Sequence, residues 1–201
     1  MLESTISIRP ARASEAGALH DLAALTFPLA CPPSTTEAAK AAFIEQHLSR
    51  AAFEQYLADP HRLVLVAERG DEFVGYAMLV HGEPADPEVA AAVQHRPTAE
   101  LSKLYVHPDQ HGGGVASALV EHALHAAVDE GAVSVWLGVN IHNARANRFY
   151  EKAGFPVVGT KGFVVGDVIE DDFVRERQQV FTGVTRARPR SRFFRPCGPR
   201  R

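Results

Sequence analysis

One stretch of this chain constrains its fold more than any other: a short apolar strand that runs through three consecutive glycines into an amphipathic helix. The strand ends in Leu104-Tyr105-Val106, the glycines are Gly112-Gly113-Gly114, and the helix begins at Val115-Ala116-Ser117. Because glycine has no Cβ, such a turn bends tightly and brings backbone N–H groups close to a ligand. The unpaired N–H groups of the helix's first turn and its dipole favour an anion. The stretch therefore predicts a site for pyrophosphate.

Three other glycine-rich motifs do not fit the chain. The dinucleotide fingerprint G-x-G-x-x-G lacks its closing glycine here. A P-loop needs Gly-Lys-Ser/Thr, and Gly159-Thr160-Lys161-Gly162 has neither that order nor that spacing. His111 before the glycines gives the H-G-G-G of an esterase oxyanion hole, but the chain has no G-x-S-x-G nucleophile elbow.

Two segments together resemble the GNAT superfamily of N-acetyltransferases. The glycine turn, His111 to Ala116, fits the pattern Gln/Arg-x-x-Gly-x-Gly/Ala at every position but the first, and Val106-His107-Pro108 precedes it as expected. The later segment from Asn143 to Phe155 is similar to the family's N-x-x-A-x-x-F-Y-x-x-x-G-F block. The resemblance spans roughly residues 5–182, which is nearly the whole chain.

The resemblance implies a mixed α/β (α+β) fold. Its sheet is twisted and mixed, with about six or seven strands, helices on both faces and central parallel strands that splay apart. Acetyl-CoA, the co-substrate, is expected to enter the splay and pair its pantetheine arm with the backbone of Leu104, Tyr105 and Val106. Its pyrophosphate is expected on the N–H groups of Gly112, Gly113, Gly114, Val115, Ala116 and Ser117.

Two further residues are candidates for contact with the coenzyme. His111 stands where the family usually has glutamine or arginine. Two interpretations stay open: the imidazole donates to a phosphate, or it occupies a tolerated position while backbone amides hold the phosphates. Asn143 matches the family's coenzyme-contacting asparagine, and it also has a structural reason to be there as a helix N-cap.

The resemblance also supplies candidates for acyl transfer from a thioester to an amine, which needs a proton acceptor for the ammonium and a donor for the leaving thiolate. Tyr150 is the candidate acid, since the family aims a tyrosine of this block at the coenzyme sulfur. Glu100 is the candidate base, at the start of the strand before the glycine turn. The alternative carboxylates for the base are Glu68, Glu72 and Asp172.

The acceptor is less constrained than the coenzyme. Several segments are loosely similar to the polyamine-acetylating branch, and the acidic residues of the last hairpin suit a polycation; these are Asp167, Glu170, Asp171 and Asp172. A protein or peptide α-amine is the second expectation. A third is a non-catalytic acyl-CoA-binding module whose arginine-rich tail engages nucleic acid or an acidic partner.

Composition limits the other classes. The chain has 201 residues and 2 cysteines, so a single domain over residues 1–183 and a reducing, cytoplasmic compartment are expected. Seven arginines crowd residues 186–201 among three prolines, and we interpret residues 184–201 as a solvated tail rather than a nucleic-acid arm. No metal site is predicted, because the histidine spacing suggests none. A homodimer is one expectation, since related folds often pair through sheet edges.

Hydrophobic periodicity and turn residues predict an alternating order of elements. Ser14 is expected to cap a first helix that ends near Leu25, before Pro28. The remaining helices are expected at 37–48, 50–57, 115–130 and 143–154. The strands are expected at 5–9, 62–68, 72–80, 99–107, 133–139, 157–165 and 172–180.

Overall fold

A computed structural model describes residues 5–165 and 168–179; the tail predicted at 184–201 lies outside them. Seven strands form one mixed sheet, with helices on both faces, which confirms the predicted fold class. The strands are β1 (Ile6–Pro10), β2 (Arg62–Arg69), β3 (Glu72–His81), β4 (Thr98–Val106), β5 (Ser134–Asn140), β6 (Val157–Val165) and β7 (Val168–Gln178). The helices are α1 (Ala16–Ala30), α2 (Glu37–His47), α3 (Arg50–Ala58), α4 (Pro87–Ala92), α5 (Val115–Asp129) and α6 (Ala144–Lys152).

The sheet opens between its two central strands. Its order is β1-β2-β3-β4-β5-β7-β6, and β4 with β5 is the parallel pair within the described residues. These strands pair only from Thr98 to Glu100, opposite Ser134 to Trp136. Beyond Glu100 the edge of β4 that faces β5 has no strand partner among residues 5–165 and 168–179, so its backbone groups there are available to a ligand.

A β-bulge changes the direction of the side chains along β4. Leu101 pairs with Leu79 and Lys103 pairs with Met78, so Ser102 is an extra residue between them. Side chains of a regular strand alternate between faces, which would place residues 100 and 103 on opposite faces. The extra residue cancels one alternation. Glu100 and Lys103 therefore face the same side, where Tyr105 packs beneath α1 to α3.

Two apolar clusters cover the faces of the sheet. Helix α5 buries Val115, Leu119 and Val120 against one face. Strand β3 passes close beneath it, since a Cβ at Gly75 would lie 3.1 Å from side-chain atoms of both Val115 and Leu119. Helices α1 to α3 cover the other face. This close packing fixes the N-terminus of α5 beside the open edge of β4.

The prediction for the start and end of the first helix is wrong. Helix α1 continues through Pro28 to Ala30. A proline near a helix end removes one hydrogen bond, and buried Phe27 holds this turn in the cluster beneath α1 to α3. Ser14 does not cap the helix, because it lies in the preceding 3₁₀ turn (Ala13–Glu15). The Glu15 carboxylate there accepts the N–H of Arg12 at 2.7 Å.

Candidate active site

Two cavities lie on either side of the open strand edge. The first, of about 450 Å³, is enclosed by the glycine turn, the end of α1 and one face of α6; we call it the loop cavity. The second, of about 240 Å³, lies among β4, β5, β6, β7 and the segment that joins α1 to α2; we call it the sheet cavity. Both are lined by Ala30, Leu104, Tyr105, Asn143, Ala146 and Tyr150, which form a shared seam.

The glycine turn presents unpaired N–H groups to the loop cavity. Gly112 and Gly114 have φ of +82° and +80°, and a Cβ on either would point into space with no atom within 4 Å. In the part of the chain that the structure describes, five successive or near-successive N–H groups lack a backbone acceptor, those of Gly112, Gly114, Val115, Ala116 and Ser117. The turn is thus a concave row of donors at the positive end of α5.

His111 and Arg145 form a pair at the mouth of the loop cavity. The Arg145 guanidinium donates to His111 Nδ1 at 2.9 Å, and His111 Nε2 lies 3.1 Å from the carbonyl oxygen of Val106. Because arginine is only a donor, Nδ1 must accept, and Nε2 must carry the proton that it gives to Val106. Both ring nitrogens are therefore engaged within the protein, and the imidazole holds the cation of Arg145 beside the glycine turn.

The sheet cavity is lined by charges of both signs and by an aromatic wall. Its charged residues are Glu100 and Lys103 from β4, Lys161 from β6, and Glu170 and Asp172 from β7. Lys161 and Asp172 are register partners, and both reach over Gly138, where a Cβ would lie 2.7 Å from Lys161 Cε. Glycine at this position leaves room for both side chains.

Burial shifts the protonation of three of these groups. It raises the pKa of Glu100, against the opposing effects of Lys161 and Lys103. It raises the pKa of Asp172 to about 6, with Lys161 opposing the shift. It lowers the pKa of Lys103 to about 8, although Glu100 favours the charged form. The cavity wall thus holds carboxylates that are stronger proton acceptors than usual.

Tyr150 lies on the seam between the cavities. Its side chain is 9% exposed and packs edge-on against Phe149 and Phe155, with ring centroids 5.2 and 6.0 Å away. Burial raises its pKa, so the phenol stays protonated at neutral pH. Asn143, also on the seam, caps α6 by accepting the N–H of Ala146 at 3.0 Å, as the sequence predicts.

The structure brings most of the sequence-predicted residues together. Those from Leu104 to Ser117, with Asn143, lie at the loop cavity, although Gly113 is not on its wall. Glu100 lines the sheet cavity with Asp172. Glu68 instead pairs with Arg9, and Glu72 is exposed, so neither lies at the loop cavity or the sheet cavity. Asp167 falls outside the described residues.

Sequence reasoning missed three cations at the site. Arg145 could have been found from its place in the first turn of α6, two residues after the predicted cap Asn143. No local sequence feature indicates that Lys103 and Lys161 lie at the site. A bulge in β4 and the pairing of β6 with β7 turn them toward the same cavity, and neither can be read from the sequence.

The described residues contain neither a metal-binding cluster nor a membrane-spanning helix. Residues 5–165 and 168–179 contain no group of three or more His, Cys, Asp or Glu arranged to hold a metal ion. No helix within the same ranges is both long and apolar enough to span a bilayer.

Sequence comparisons point to one family. Residues 19–155 match the acetyltransferase (GNAT) family. An uncharacterised N-acetyltransferase of Mycobacterium tuberculosis is 45% identical over 167 residues, which are 83% of this chain and 99% of that relative. The [ribosomal protein bS18]-alanine N-acetyltransferase of Escherichia coli is 28% identical over 89 residues, which cover 44% of this chain and 59% of that enzyme.

Solved structures share the fold. The PaiA N-acetyltransferase of Thermoplasma acidophilum, in complex with coenzyme A, has a TM-score of 0.70 at 19% identity, covering 87% of this chain and 99% of that one. The ribosomal-protein-S18-alanine N-acetyltransferase of Escherichia coli has a TM-score of 0.60 at 18% identity, covering 90% and 98%. At such low identities the likeness establishes the fold alone.

Proposed function

Because the chain belongs to the GNAT family of acetyltransferases, we propose that it moves the acetyl group of acetyl-CoA to the primary amine of a small molecule. One observation carries this proposal. A cradle of backbone donors opens into one cavity, carboxylates of raised pKa line a second, and Tyr150 stands where the two meet. This is the arrangement that direct transfer between two bound substrates requires.

The loop cavity fits acetyl-CoA. Its glycine turn is a cradle that a Cβ at Gly112 or Gly114 would fill, and its free N–H groups suit pyrophosphate oxygens. Arg145, held by His111, adds a fixed positive charge at the mouth. The unpaired edge of β4 from Leu104 to Val106 offers backbone groups to the pantetheine arm. These contacts direct the thioester toward the seam.

The chemistry is then divided between two residues. The Glu100 carboxylate accepts a proton from the substrate ammonium, directly or through one water, so that the free amine attacks the thioester carbonyl. The carbon–sulfur bond of the tetrahedral intermediate breaks as the amide forms. The Tyr150 hydroxyl gives its proton to the leaving sulfur and regains one from the amine nitrogen, which loses its second proton as the amide forms. This avoids a free thiolate in a buried site. Asp172 is the alternative proton acceptor, since it lines the same cavity.

The proposal is tested by the release of free thiol from acetyl-CoA in the presence of small amines or N-terminal peptides. Mass spectrometry then locates the acetyl group on the product. Amine-dependent thiol release with an N-acetylated product is expected. A product acetylated on peptides alone would favour an α-amine of a protein, the second candidate, which the named activity of the Escherichia coli relative suggests. Binding of acetyl-CoA without any release would contradict the proposal.

Gly114→Ala is expected to weaken acetyl-CoA binding by at least about tenfold and to lower the free energy of unfolding by roughly 1–2 kcal/mol. The first effect follows because the methyl group would stand in the phosphate cradle, the second because φ of +80° is strained for alanine. Calorimetric titration and urea unfolding measure the two. Gly17→Ala in α1 is the control: it has open space around its Cβ and should leave binding unchanged. Wild-type affinity in Gly114→Ala would contradict the cradle.

Arg145→Met is expected to weaken acetyl-CoA binding by about tenfold at low salt and by less at high salt, because it removes a charge at the phosphate site. His111→Ala should weaken binding less, since it frees the guanidinium without removing it. The matched control is Arg148→Met, one turn further along α6, exposed and outside both cavities. Equal dissociation constants for Arg145→Met and Arg148→Met would show that the guanidinium does not hold the coenzyme.

A further inference from the structure

The sheet cavity holds two ammonium groups that form no ion pair with any carboxylate of the described residues. Among the described residues, neither Lys103 nor Lys161 has a carboxylate oxygen within 4 Å of its ammonium nitrogen. Aromatic rings lie near both groups: Lys103 Nζ is 5.3 Å from the centroid of the Tyr56 ring, and Lys161 Nζ is 5.6 Å from that of Phe163. Glu100 and Asp172 act on these cations only from beyond 4 Å, and a half-buried cation without a counter-ion in direct contact is costly. Both groups are therefore available to an anionic part of a ligand.

The carboxylates of the same cavity differ in how they are occupied. Glu170 accepts hydrogen bonds from Ser34 at 3.1 Å and Asn140 at 3.5 Å. Within the described part of the chain, Glu100 and Asp172 form no ion pair. Burial raises the pKa of each carboxyl group, because it disfavours the charged form. An ammonium group bound beside either carboxylate would stabilise that charged form. The cavity thus contains cationic and anionic side chains that are not joined in ion pairs with one another.

We propose, on the basis of the acetyltransferase function above, that the acceptor is a small amino acid, whose amine faces Glu100 and whose carboxylate binds Lys103 and Lys161. A ligand that carries both charges satisfies both sets of groups at once, whereas a simple amine leaves the lysines unpaired. A polyamine would bring a second cation toward two lysines, where like charges repel in a partly dry site.

An aromatic wall selects the side chain of the amino acid. The rings of Phe27 and Phe43 stack with centroids 4.5 Å apart, and Phe163 lies 5.9 Å from Phe43. All three line the sheet cavity. At about 240 Å³ this cavity lies below the usual range for drug-sized ligands. It therefore suits one residue with an apolar or aromatic side chain rather than a longer chain.

Pairs of acceptors that differ only in the carboxylate test the proposal. The pairs are L-phenylalanine with phenethylamine and L-leucine with 3-methylbutylamine, and spermidine is added as a polycation. Thiol release gives kcat/KM, expressed per unprotonated amine, because a carboxylate also changes the basicity of its own amine. We expect each amino acid to exceed its partner by at least about tenfold. Calorimetric binding of the same pairs to the protein saturated with coenzyme A gives a second readout that needs no turnover.

Lysine variants identify the source of the preference. Lys161→Met and Lys103→Met should each reduce the ratio between amino acid and amine by at least about threefold. The control is Lys152→Met, which removes an exposed lysine of α6 outside both cavities and should keep the wild-type ratio. Because the ratio is taken within each variant, a general loss of folding or activity does not alter it.

The outcomes separate this inference from the proposed function. Turnover that is equal within the pairs, or highest with spermidine, overturns the amino-acid class and leaves the acetyltransferase function standing. If calorimetry shows that the amino acids bind more tightly than the amines, but no thiol is released, the amino-acid class is upheld and the proposed function is overturned. If no acceptor is turned over and the amino acids bind no better than the amines, both the amino-acid class and the proposed function are overturned.

Discussion

Replacing Tyr150 with phenylalanine is expected to lower kcat by about 10²-fold and to leave the dissociation constant of acetyl-CoA within about twofold. The substitution removes only the hydroxyl, and the ring keeps its contacts with Phe149 and Phe155. Burial raises the pKa of this phenol, so it is protonated and ready to donate when the sulfur leaves. Steady-state kinetics with saturating amine and calorimetric titration of acetyl-CoA measure the two quantities.

Tyr76→Phe is the matched control for this variant. Tyr76 is fully buried under α1 to α3, and its hydroxyl has no hydrogen-bond partner among the described residues. Its removal should leave kcat unchanged and the fold at least as stable, since an unsatisfied buried hydroxyl is costly. If Tyr150→Phe turns over as fast as Tyr76→Phe, a water rather than the phenol protonates the thiolate.

Glu100→Gln is expected to lower kcat by about 10²-fold and to remove the acid limb of the pH–rate profile. The base acts as a carboxylate, so activity falls as pH drops through its pKa in the folded protein. Burial raises that pKa above the ordinary 4.5, which places the limb nearer to neutrality than a solvated glutamate would. Rates between about pH 5 and 9, at saturating concentrations of both substrates, define the limb.

The carboxylates that were alternatives for Glu100 provide the comparison. Asp172 lines the same cavity, with its pKa raised to about 6. An acid limb that survives in Glu100→Gln and disappears in Asp172→Asn would assign the base to Asp172. Glu72→Gln, exposed and outside both cavities, should have the wild-type profile. A general change in protein stability would not shift the acid limb of the pH–rate profile in one of these variants and leave it in place in the others.

The coenzyme side of the site was predictable because its determinants are local. The turn from His111 to Ser117 is contiguous, and glycine, N-cap and helix periodicity each have a direct physical meaning in sequence. The pairing of β2 with β3 and the cap at Asn143 were predictable for the same reason. The course of α1 past Pro28 was not, because buried contacts with distant elements hold its last turn.

The acceptor side depends on long-range pairing. Lys161 and Asp172 meet because β6 and β7 pair in one register, and Lys103 joins Glu100 because of the bulge at Ser102. No spacing in the sequence reports a bulge or the register between distant strands. His111 is a similar case, since its contact with Arg145 joins residues that are 34 positions apart.

The bulge at Ser102 decides which side chains β4 presents to the sheet cavity. Side chains of a strand point alternately to its two faces. One additional regular residue therefore turns all side chains of the strand on one side of it to the opposite face. If Ser102 instead adopted a regular strand conformation while the half of β4 that runs to Val106 kept its place, Glu100 would turn toward the apolar layer under α5. Loss of the bulge alone would thus exchange a proton acceptor for a core position, with the sequence of the chain unchanged.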